Sequence, residues 1–126
     1  MFPDGTKATI AAGQDPREVF ATWLISPTNP WFARTAANRV WYWLMGRGII
    51  QEPDDIRLDN PPSNPELLAS IEKELVSSRY DFKALYRLIL NSTTYQLSSM
   101  PQTATPEAEA NFAHALIRPL DAEVLV

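Results

Sequence analysis

The sequence predicts an all-α domain of about five helices packed around a central, aromatic-rich helix and joined by irregular but ordered loops. Two observations carry that prediction. Apolar residues recur at helical spacing in successive stretches, and Pro, Asn, Asp and Gly stand between the stretches where caps and stops belong. A third observation is size: 126 residues, 45% hydrophobic and 21% charged, suffice for one ordinary core, with folding hiding roughly two-thirds of the extended surface. Eleven prolines against four glycines point to many fixed corners.

Residues 1–14 mix Gly, Asp, Thr and Lys without a sustained period and read as an arm or linker, so the domain is expected over 15–126. In Asp15-Pro16-Arg17-Glu18 the Asp can cap, the Pro suits the first helical position, and Val19, Phe20, Trp23 and Leu24 then form one apolar face. Ser26-Pro27-Thr28-Asn29-Pro30 stops that helix and starts another, which should run to about Met45. Its apolar residues form three stripes: Ala33, Ala37, Val40 and Leu44; Phe32, Ala36 and Trp43; Trp31, Trp41 and Met45. A helix apolar on so many sides is normally central to its fold.

Gly46-Arg47-Gly48 ends the second helix, Ile49 and Ile50 return the chain to the core, and the acidic, proline-rich stretch 51–62 has no helical period. Ser63-Asn64-Pro65-Glu66 offers a capping box or an Asn64 cap for a third helix, with Leu67, Leu68, Ile71 and Leu75 buried and Glu72, Lys73 and Glu74 facing water. Asp81 can cap a fourth, burying Phe82, Leu85, Leu88 and Ile89 while Lys83 and Arg87 share a polar strip. Asn91-Ser92-Thr93-Thr94-Tyr95 ends it and 97–105 is a linker. Thr105-Pro106-Glu107 begins another helical stretch that Pro119 breaks or restarts, and 120–126 reads as the opening turns of an unfinished helix, as in a domain truncated at its C-terminus.

A net charge of -4 argues against a general nucleic-acid surface, which needs a dense cationic patch. Eight of the eleven basic residues are Arg, which favours fixed, planar ion pairs or anion contacts. The absence of Cys excludes disulfides, thiol catalysis, thiolate metal sites and covalent haem attachment through this segment. No apolar run approaches the ~20 residues of a membrane span, and residues 1–10 lack the basic start and apolar stretch of a signal peptide.

Asn29-Pro30-Trp31-Phe32-Ala33-Arg34, Asn38-Arg39-Val40-Trp41 and Gly46-Arg47-Gly48-Ile49 form a series that continues through Pro53-Asp54-Asp55, Pro62, Pro65-Glu66-Leu67-Leu68, Phe82-Lys83, Arg87-Leu88-Ile89 and Ser92-Thr93-Thr94-Tyr95. With the closing Arg118-Pro119-Leu120-Asp121-Ala122-Glu123, the series resembles the planctomycete-type PSD-one domain of unknown function (domain of unknown function 1553). The resemblance implies the C-terminal part of a large bacterial protein, usually exported and hence periplasmic or secreted. By the same resemblance such proteins often carry a second domain of unknown function and sometimes a cytochrome-c-like segment, and the resemblance implies no assigned reaction. The family's usual His before Pro65 is Asn64 here, and its second Arg in the last motif is Pro119, so roles resting on those positions do not carry over.

Three groups of residues are candidates for chemistry. Arg34, Asn38 and Trp41 fall on one side of the second helix, with Arg39 and Arg47 near in sequence. A guanidinium beside an indole can bind a carboxylate, a phosphate or a sugar, whereas the plainer role is to tie the helix to its loops. Glu52, Asp54, Asp55 and Asp59 on the irregular loop can bind a hard cation or act as acid and base, whereas the plainer role is pairing with Arg34, Arg39, Arg47 or Arg57. His114 is the single histidine, so no multi-histidine metal site exists within this chain, and neither a nucleophile elbow nor a phosphate loop accompanies Ser92, Thr93 or Gly46-x-Gly48.

The expectation is a noncatalytic structural or ligand-binding module without cofactor or metal. Its expected partners are other domains of a parent chain or a carbohydrate or anionic ligand, through Arg34, Asn38, Arg39, Trp41, Arg47, Asp54 and Asp55. The rival is a fragment of an enzyme acting on carbohydrate or another extracellular polymer, with Asp54, Asp55 or Glu52 as acid and base.

Overall fold

Each helix begins at a polar side chain that accepts from the exposed backbone donors of its first turn. The structure, a computed structural model, describes residues 1–2, 4–102 and 105–118. They form α1 (Pro16–Leu24), α2 (Pro30–Met45), α3 (Pro65–Ser77), α4 (Phe82–Leu90) and α5 (Pro106–Ala110). The caps are Asp15, Asn29, Asn64, Asp81 and Thr105, and a proline follows all of them except Asp81. Of the two caps open for α3, Asn64 is used: its Oδ1 accepts from Leu67 N at 2.9 Å.

The core is built by α2, α3 and α4, which pack pairwise. From α2 come Ala33, Ala37, Val40, Trp41 and Met45; from α3 Leu68, Ile71 and Leu75; from α4 Leu85 and Ile89. Ile49 and Ile50 return into it as expected, and Phe112 closes it with an edge-on contact to Trp41, ring centroids 5.1 Å apart. Helix α4 folds back along α3 through a turn at 78–81. Tyr80 N donates to Leu75 O at 2.8 Å and Arg79 N to Val76 O at 3.0 Å, with Arg79 and Tyr80 at φ 56° and 61°. That is a Schellman ending built without glycine. Burial raises the Tyr80 phenol above its ordinary pKa, and its ring lies against Phe32.

Four expectations need correction. The outer helices do not pack around α2 as α3 and α4 do: α1 and α5 bury none of their own residues, and Phe20 is exposed. Instead α1 holds the start of the chain, with Phe2 stacked on Trp23 and Trp23 Nε1 donating to Asp4 Oδ2 at 3.0 Å. Helix α5 ends at Ala110, far short of Pro119, because Phe112 takes a left-handed φ of 56° and Ala113 N turns back to Ala108 O at 2.9 Å. Phe82 and Leu88 are exposed, since the inward face of α4 is already filled by Leu85 and Ile89. Glu72 does not simply face water; it is half-buried beside Arg34. The expected helix at 120–126 lies outside the described residues. Among the described residues no helix is long and apolar enough to cross a membrane.

Candidate functional site

Asn38 sits in the middle of α2 with no exposed surface, and its amide spans the gap to the chain that returns after Gly48. Its Nδ2 donates to Ile50 O at 3.0 Å and to Pro53 O at 3.1 Å, and its Oδ1 accepts from Ile50 N at 2.9 Å. Both donors are consumed, and so is an acceptor position. The loop is wound so tightly here that a Cβ on Gly48 would run into the Ile50 carbonyl oxygen. One residue along, Arg39 pairs with Asp54 at the surface.

The remaining loop carboxylates are held by Arg57, whose Nε donates to Asp55 at 2.6 Å and whose Nη1 lies 3.4 Å from Asp59. The bond to Asp55 raises the Arg57 pKa above its ordinary value. Asn60 donates to the carbonyls of Gln51 at 2.6 Å and Asp55 at 2.8 Å, which closes the loop on itself. Glu52 is exposed. This region therefore joins Asn38, Arg39 and Asp54, with Asp55 on the same loop.

The other nominated residues lie elsewhere. Arg34 donates to Glu72 of α3 at 2.7 Å. Arg47 is half-buried, and its Nε meets no acceptor among the described residues. Trp41 is 3% exposed and belongs to the core, whereas Trp31 and Trp43 are 46% and 53% exposed. His114 lines a small cleft of about 230 Å³ beside Leu97 and Met100, and its Nδ1 is buried without a partner among the described residues. No three His, Cys, Asp or Glu side chains among the described residues converge as a metal site requires.

An open concave surface lies elsewhere again, between α3 and α4. A cleft of about 640 Å³ is walled by Leu67, Ser70, Ile71 and Glu74 on one side and by Ala84, Arg87, Leu88 and Asn91 on the other, with Trp41 at its floor. The α3 wall uses positions i, i+3, i+4 and i+7, the stripe one helix offers to a neighbour, while the α4 wall also takes in Ile89 and, past the helix end, Ser92 and Thr94. The surface is mainly apolar, and Leu88 is 50% exposed. The Trp41 indole N–H beneath it is buried with no acceptor among the described residues. Sequence reasoning placed Leu67 and Leu88 in the core and did not foresee this groove. Its signal was the apolar breadth of α4, which has more Leu, Ile and Phe positions than one inward stripe can hide.

Fold and cleft together define a small all-helical module whose polar residues brace a loop and whose apolar residues line an open groove. Residues 16–126 match the family model PSD1, protein of unknown function (DUF1553), and the chain belongs to that family. No curated protein and no solved structure matches the chain.

Proposed function

We propose that this chain is a noncatalytic module of a larger exported bacterial protein, binding another part of that protein or a ligand through its α3–α4 groove. The observation that carries this reading is the separation of the carboxylates from the concave surface. Asp54, Asp55 and Asp59 are paired with Arg39 and Arg57 on the exposed loop, and none of them, nor Glu52, lines the groove. Glycoside hydrolysis by paired carboxylates needs two such groups converging on one substrate, and among the described residues the groove offers the single carboxylate Glu74.

The test has two arms. The purified chain is incubated with cellulose, chitin, xylan and peptidoglycan while released reducing ends are measured, and sedimentation velocity follows its association with the separately produced remainder of the parent protein. The expected result is association without turnover. Reducing-end release that disappears in Asp54→Asn or Asp55→Asn would overturn the module reading in favour of an enzyme.

A further inference from the structure

The α3–α4 groove has walls of opposite charge. Glu74 stands on the α3 wall and Arg87 on the α4 wall. Among the described residues neither belongs to an ion pair, not even with the other across the cleft. The lining positions run two turns along each helix, so the apolar trough between the charges is about 10 Å long. Two helices packed side by side offer a third helix this kind of seat, with ridges of the newcomer lying between theirs.

We propose that the groove seats an amphipathic helix from another domain of the same parent protein. Its apolar stripe lies over Leu67, Ile71 and Leu88, its acidic flank faces Arg87, and its basic flank faces Glu74. This rests on the module reading above and names the partner of that same site. The polarity of the walls fixes which way round the helix lies, because the reversed helix would set like charges against each other. A second copy of the chain fits less well: a two-fold axis would set concave trough against concave trough and leave the space between them unfilled. Leu88, half exposed at the centre of the α4 wall, is the anchor.

The test is fluorescence anisotropy with overlapping labelled peptides that tile the remainder of the parent protein, titrated with the full chain. Circular dichroism of the bound peptide and the Trp41 indole N–H resonance serve as independent readouts. The expected result is one peptide that becomes helical on binding, shifts the Trp41 resonance, and binds about tenfold or more weakly to Leu88→Glu. Arg87→Glu should also weaken it, and exchanging the peptide's facing acid for a base should restore binding to that variant. Because Leu88 is half exposed, Leu88→Glu is expected to keep the wild-type urea midpoint, so lost binding cannot be lost folding.

No binding peptide, binding indifferent to Leu88→Glu, or a dimer of the chain that Leu88→Glu abolishes would each overturn the proposal. Association with the remainder that ignores Leu88→Glu would leave the module reading standing while removing the groove from it. Polymer turnover would remove the module reading, and the peptide titration would still decide what the groove holds.

Discussion

Two buried polar side chains on α2, three residues apart, meet opposite fates. Asn38 is wholly buried and makes three hydrogen bonds to the loop that follows the helix. Trp41 is 3% exposed, and its one N–H donor finds no acceptor among the described residues. The first arrangement is complete; the second sits under an open apolar groove. A constellation of Asn, Arg and Asp that resembles a site in sequence is here a brace, while the surface with room for a ligand is made of residues that resemble core.

The sharpest way to break this comparison is Asn38→Ala. It strands the Ile50 N–H and the carbonyls of Ile50 and Pro53, and should cost about 3 kcal/mol, read as a lower urea midpoint. A loss below about 1 kcal/mol would mean that water replaces the amide and the brace is dispensable. Trp41→Phe should cost less, about 1 kcal/mol, because the lost ring area is partly offset by removing a buried donor that has no partner. A cost equal to that of Asn38→Ala would show that the indole is hydrogen-bonded after all.

Asp54→Asn should change stability by less than about 1 kcal/mol, and the difference should shrink further in high salt, since the pair with Arg39 is exposed.

The smallest effect is confined to the N-terminal unit. Hydrogen bonds from Thr6 and then Trp23 hold the Asp4 pKa below its ordinary 3.8, and Arg17 does the same for Asp15. Groups depressed in this way favour the folded form above pH 3.8, and that contribution disappears as pH falls through their lower folded values. The Trp23 indole N–H resonance should therefore stay constant from neutral pH down to about 5 and move only below the ordinary carboxylate range.

Much of this fold was legible because its punctuation is chemical. Asp15, Asn29, Asp81 and Thr105 cap where a short polar side chain precedes an apolar run, and Gly46 ends α2 with the left-handed φ of 79° that glycine permits. The end of α5 was not legible, because it turns on a left-handed Phe112 that no local preference favours; burial of the ring against Trp41 holds it there. At the candidate site, the link between Asn38, Arg39 and the loop at 50–54 was foreseen as the plainer reading. The groove was not, because helical spacing shows that Leu67 and Leu88 lie on apolar stripes but not whether a neighbour covers them.

Gly46 has a second neighbour whose importance reaches beyond the helix it ends. Arg118 lays its guanidinium on the last carbonyls of α2, 2.9 Å from Trp43 O and 3.3 Å from Leu44 O. Its aliphatic stem passes where a Cβ on residue 46 would stand, with Cδ only 2.8 Å from that point. The two positions therefore compete for one space. A side chain at 46 would meet only the outer part of this flexible, exposed arginine, which can swing aside at the cost of its bonds to the two carbonyls, so the helix end has room for the arginine cap or for a side chain at 46 but not for both.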